Sequence, residues 1–122
     1  MEFFNLFKDE TKFETYEDGE WVFVEGQPGD VMYVVKAGKV DIVFEDNVLE
    51  TIPTGGILGE MALVGYPMRS ANAVARGHCE LVLINEERFH QLIQGTPGFA
   101  TGVMKVMADR LRNRTFDVTW EN

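Results

Sequence analysis

The chain has 122 residues, 45% of them apolar and 25% charged, enough for one compact domain that buries roughly two-thirds of its unfolded surface. Eleven Lys and Arg against 20 Asp and Glu leave a formal net charge of −9, which argues against a surface built to cover nucleic-acid phosphates. The lone Cys79 allows neither an internal disulfide nor a thiolate metal cage, and no apolar run nears the roughly 18 residues of a membrane span. With no small-residue cleavage site near Met1, the expectation is a single cytoplasmic domain over residues 1–122.

Residues 1–10 form the N-terminal segment, where a short helix over 1–8 would bury Phe3, Phe4 and Phe7 beside Leu6. From Phe13 the period becomes that of short strands rich in Val, Ile and aromatics, over residues 21–24, 31–35, 40–44, 48–52, 71–75 and 81–84. Gly26-Gln27-Pro28-Gly29-Asp30 reads as a turn, and Lys36-Ala37-Gly38-Lys39 and Glu45-Asp46-Asn47 as hairpin loops. Many short strands with tight turns imply a closed roll or sandwich over 11–84. Helices then fill 85–114. Asn85 is the N-cap of the first, Glu86 and Glu87 suit its positive end, and Phe89, Leu92 and Ile93 share a face before Gly95 and Pro97 stop it. A second helix over 98–114 carries an apolar stripe of Val103, Met104, Met107, Ala108 and Leu111, with Arg110, Arg112 and Arg114 complementing its C-terminal dipole. The tail, 115–122, alternates so that Phe116, Val118 and Trp120 would share one face of an extended segment.

Chemistry concentrates in residues 57–71, the longest interruption of the strands. Gly55 and Gly56 let the chain turn, Gly59 allows close backbone approach, and residues 60–64 suit one helical turn whose free N–H groups favour an anion. Arg69 adds a permanently charged fork for phosphate oxygens and Ser70 a hydroxyl donor. Glu60 would repel a phosphate unless it accepts hydrogen bonds from another part of the ligand, as a sugar hydroxyl would offer. Phosphate plus ribose means a nucleotide; the plainer alternative is a structural ion pair between Glu60 and Arg69. An Arg–phosphate contact near 4 Å is worth on the order of 4 kcal/mol at an effective dielectric of about 20, while distant carboxylates are screened within about 8 Å. His78 and His90 lack metal-ligand spacing and read as surface residues, Cys79 as core, and Met61 and Met68 as pocket lining or packing.

At these residues the sequence resembles the cyclic nucleotide-binding domain family, through Gly59-Glu60-Met61-Ala62-Leu63 and Arg69-Ser70-Ala71. Further matches are Gly19-Glu20-Trp21-Val22-Phe23, the run from Gly26 through Val35, Gly38-Lys39-Val40, and Glu87-Arg88-Phe89-His90-Gln91-Leu92-Ile93, so that the resemblance covers nearly the whole chain. It implies an antiparallel β-roll of jelly-roll type with a short N-terminal helix, a phosphate-binding cassette helix and two C-terminal helices. In that cassette Arg69 would hold the cyclic phosphate with Ser70 as a further donor. Glu60 would take the ribose 2′-hydroxyl, Gly59, Ala62 and Ala71 would lend backbone groups, and Met61 would line the pocket. Leu58, Pro67 and Asn72 depart from the residues usual in the family, and Ser70 favours cAMP over cGMP. The implied function is a non-catalytic sensor that moves its C-terminal helices on binding, with a downstream protein partner and a homodimer through the last helix. The tail or that helix would cover the base. The alternatives are a ligand-free scaffold, the sensor half of a transcription regulator lacking its helix-turn-helix, a cupin-like enzyme, or a receptor for a cyclic dinucleotide.

Overall fold

The computed structural model describes residues 3–119, without the side chains of Phe4 and residues 114–119. The expected roles of the Phe4, Arg114, Phe116, Val118 and Trp120 side chains therefore lie outside the described residues. The elements are α1 (Phe3–Phe7), β1 (Glu14–Tyr16), β2 (Trp21–Phe23), β3 (Val31–Phe44), β4 (Asn47–Ile52), β5 (Ile57–Leu58), a 3-10 turn (Glu60–Leu63), β6 (Asn72–Asn85), α2 (Glu86–Gly95) and α3 (Phe99–Thr119). The chain divides after Phe89 into two compact units.

The first unit is built on an antiparallel six-stranded sheet in which β1, β6, β3 and β4 lie side by side, β2 adds to β6, and β5 adds to β3. This is the expected roll architecture, although the sheet does not close. Strand alternation decides its inner face. Val40, Ile52 and Ala75 sit in one row across three strands and are almost wholly buried. Tyr33, Val35, Leu58, Cys79 and Leu81 extend the same core, each full-size aliphatic contributing about 1.5–3 kcal/mol by leaving water. The Cys79 thiol, fully buried, donates to the Lys39 carbonyl at 2.7 Å. His78 lies exposed on β6, its Nδ1 2.8 Å from Glu17 Oε2.

Two expected hairpins reduce to one. Lys36-Ala37-Gly38-Lys39 is not a loop: β3 runs through it for 14 residues, paired along both halves with the equally long β6, with bulges at Val35/Ala37 and Ala37/Lys39. Gly38 serves close approach here. A Cβ on it would fall 2.3 Å from the His78 carbonyl oxygen, and its φ is +88°. Glu45 and Asp46 do form the β3–β4 turn, both with positive φ (50° and 66°), as a two-residue hairpin of the strand-matching twist requires.

Asn85 caps α2 as expected, its Oδ1 accepting the Arg88 N–H at 2.9 Å. In the second unit α3 continues to Thr119, so residues 115–119 are helical and not extended. No Gly or Pro after Gly102 interrupts it, and a short alternation of apolar residues is too weak a signal against helix propagation. The arginines consequently do not sit in its last turn; Arg112 pairs instead with Asp109 at 3.0 Å on an exposed face. Among the described residues no helix is long and apolar enough to cross a membrane.

Arg88 also reaches Glu10 at 2.8 Å. The hydrogen bond from Arg88 holds the Glu10 carboxyl below its ordinary value of 4.5 against the opposing effect of burial. The stability this contributes is present above that ordinary value and is lost as pH falls through the depressed one. In urea titrations, Glu10→Gln is expected to lose less stability than the unaltered protein between pH 7 and pH 3. Gly38→Ala is expected to cost about 3 kcal/mol or more, through clash and left-handed strain together. Gly77→Ala, where φ is +76° but nothing lies within 4 Å, should cost only about 1 kcal/mol in the same measurement.

Candidate functional site

The segment between β4 and β6 enters through the core. Ile57 and Leu58, each 1% exposed, pair as β5 with Val34 and Tyr33, fixing where the next residue emerges. That residue is Gly59, whose left-handed backbone (φ +75°) turns the chain into the 3-10 turn Glu60–Leu63 without a side-chain cap. The expected turn is therefore present but tighter and shorter than an α-helix. Its Ala62 N–H is already engaged with the Gly59 carbonyl at 3.3 Å. Glu60 is 5% exposed.

The chain then passes through exposed Val64, Tyr66 and Met68 and is caught by the Gly26–Asp30 turn. Gly29 N–H donates to the Pro67 carbonyl (2.6 Å), Arg69 N–H to the Gln27 carbonyl (2.8 Å), and Gly26 N–H to the Arg69 carbonyl (2.8 Å), with Pro28 and Met68 forming a β-bridge. The early turn is thus a backbone clamp on the residue that matters most. Asn72 closes the other side, its Oδ1 accepting the Glu25 N–H at 2.8 Å.

Held in this way, Arg69 points inward and is 7% exposed. Nη1 donates to the Gly59 carbonyl at 3.2 Å and Nη2 to the Val31 carbonyl at 2.9 Å. The guanidinium carbon lies 4.3 Å from the Phe23 ring centroid and 5.8 Å from that of Tyr33. A cation taken out of water needs such partners, because its desolvation otherwise costs several kcal/mol. Burial pushes the Tyr33 hydroxyl pKa up, and the adjacent Arg69 charge pulls it the other way. Among the described residues, the buried charged side chains are Glu60 and Arg69, and no buried side-chain nitrogen or oxygen lacks a partner.

The fold therefore brings Gly59 and Arg69 into contact, with Glu60 next in chain, while Ala71 is buried just before β6 and Ser70 is exposed. Met61 and Met68, 39% and 43% exposed, are not core packing. Sequence reasoning missed Phe23, Tyr33, Gly29 and the Val31 carbonyl, all on segments read as ordinary strand or turn. In the sequence Gly29 is indistinguishable from a turn glycine; the structure shows that it leaves space for Arg69, since a Cβ there would fall 2.3 Å from Arg69 Nε.

A family model described as cyclic nucleotide-binding domain matches residues 13–96. A cGMP-dependent protein kinase of Plasmodium berghei is 32% identical over 92 residues, 75% of this chain and 11% of that protein. The cyclic AMP receptor protein of Thermus thermophilus is 31% identical over 108 residues, 84% of this chain and 50% of that protein. In solved structures, the Thermus thermophilus catabolite activator protein matches with TM-score 0.81 at 28% identity, over 95% of this chain and 57% of that one. The c-di-GMP responsive global regulator of Xanthomonas campestris matches with TM-score 0.72 at 29% identity, over 94% and 59%. The chain spans half or less of the length of these curated relatives.

Proposed function

The chain belongs to the cyclic nucleotide-binding domain family, and from that membership we propose that residues 59–71 take a cyclic nucleotide, with cAMP favoured. Arg69 holds the cyclic phosphate, Ser70 adds a hydroxyl donor, and Glu60 accepts the ribose 2′-hydroxyl. Gly59, Ala62 and Ala71 contribute backbone groups, and Met61 lines the pocket. The single observation that supports this most is the pairing of burial with charge: Glu60 and Arg69, 5% and 7% exposed, are the buried charged side chains among the described residues, in the segment that the family uses for ligand. Purely structural packing would favour apolar residues there.

Phosphate recognition works by exchange. The guanidinium has five N–H donors, and the carbonyls of Gly59 and Val31 occupy one on each terminal nitrogen. A bidentate phosphate takes remaining donors or displaces a carbonyl, exchanging a cation–dipole hydrogen bond for one between opposite charges. Ser70, in place of the threonine associated with cGMP, supports cAMP, as does the similarity to the cyclic AMP receptor protein of Thermus thermophilus, while the similarity to a cGMP-dependent protein kinase weighs toward cGMP. The chain is assigned no catalytic step and acts as a regulatory module of the cytoplasm. Its signal leaves through α2 and α3, which requires two arrangements of different ligand affinity. Met104 and Leu111, 60% and 69% exposed and one heptad apart on α3, support a homodimer through that helix.

Isothermal titration tests the site. The unaltered protein is expected to bind cAMP saturably and more tightly than cGMP, and Arg69→Ala to lose on the order of a hundredfold in affinity or more. Removing the 2′-hydroxyl, as 2′-deoxy-cAMP, should weaken binding by about tenfold in the unaltered protein and leave Glu60→Ala little changed further. Absence of heat with both nucleotides, on folded and ligand-free protein, overturns the assignment. For the dimer, Leu111→Glu is expected to shift the sedimentation coefficient to that of a monomer.

A further inference from the structure

Arg69 is positioned by more than hydrogen bonds. Phe23, at the end of β2, presents its ring to the guanidinium at 4.3 Å, and the edge of the same ring lies 3.5 Å from where a side chain on Gly59 would begin. Its other neighbour is Tyr33, with ring centroids 6.0 Å apart and planes inclined by 33°; Tyr33 is itself 5.8 Å from the guanidinium carbon. One aromatic side chain therefore lies against the cation and bounds the space beside Gly59, the residue that leads into the 3-10 turn. Backbone leaves the cation little room on another side, since a Cβ on Gly29 would stand 2.4 Å from Cζ.

We infer that Phe23 is a positioning residue for the anion site: the Arg69 guanidinium carbon sits over its ring at 4.3 Å, and this contact holds the fork where anionic oxygens can be received in its plane. A planar guanidinium binds carboxylate or phosphate oxygens edge-on, through parallel N–H donors. A ring held against the guanidinium carbon leaves those donors free and replaces water that the buried cation has lost, by attraction to the ring quadrupole. Aliphatic residues of similar size could fill the space but would supply no such attraction. The effect on ligand affinity rests on the assignment of Arg69 to the phosphate; the placement of the cation by Phe23 does not.

The experiment compares the full chain with Phe23→Leu and Phe23→Tyr in two measurements. Titration with cAMP is expected to show about a tenfold loss of affinity in Phe23→Leu and a value within about twofold of the original in Phe23→Tyr. In nitrogen-edited NMR of the unliganded protein, the Arg69 Nε–H resonance, identified by its loss in Arg69→Lys, should carry a ring-current displacement that Phe23→Leu abolishes and Phe23→Tyr keeps. If thermal melting shows that Phe23→Leu does not fold, Phe23→Met takes its place with the same expected results. Unchanged affinity in the leucine or methionine variant, or an Arg69 resonance that does not move, overturns the inference. Should the unaltered protein bind no cyclic nucleotide, the nucleotide assignment falls and the resonance comparison alone decides the role of Phe23.

Discussion

A guanidinium withdrawn from water must be given back what hydration supplied, and much of the cassette's surroundings does this for Arg69. Carbonyls from the start of β3 and from the turn after β5 accept its protons, two aromatic rings from β2 and β3 lie beside it, and the Gly26–Asp30 turn clamps its backbone. These groups come from four separate stretches of chain. Moving the cation would strand polar atoms in the interior, so the same contacts that satisfy the charge also hold the cassette against the sheet.

Such an arrangement would let a strongly acidic chain carry the proposed anion site. The excess of carboxylates is spread over the surface, where salt and water attenuate it within about 8 Å. Arg69 acts at contact distance in a medium of lower effective dielectric, where a single fixed charge outweighs several remote ones. Glu60 is the exception, being buried in the same segment. Under the proposed function its carboxylate would accept a hydrogen bond from the ribose, which would separate a ribonucleotide from simple phosphate.

Much of this was legible in the sequence because it is local. The strand runs, the glycine turns, the N-cap at Asn85 and the Glu60 and Arg69 pair are all carried by residue type and short spacing. What was not legible depends on contacts between distant segments. Gly38 looks like a hairpin glycine until β6 lies against it, and its role of admitting the His78 carbonyl exists only in the paired sheet. Phe23 and Tyr33 have the alternation of ordinary core strand residues, and their proximity to a cation depends on where the loop from Pro67 to Arg69 is caught. The tail failed for the opposite reason: a period read over too few residues could not distinguish an extended segment from the continuation of α3.

The long β3–β6 pairing also has a consequence for the order in which this protein is made. It sets Val31 opposite Asn85 and Val43 opposite Asn72, so loops of very different length must close before the sheet gains its stabilising contacts, a topology that slows folding. Arg69 and Val31, hydrogen-bonded partners, are 38 residues apart in sequence, and the strand that completes the core beside them is the last to be synthesised. During translation the cassette residues leave the ribosome before β6 is available. The setting of Arg69 is therefore completed late, and a nascent or truncated chain ending short of Asn85 would carry every residue of the segment 59–71 without the full β3–β6 pairing that supports it.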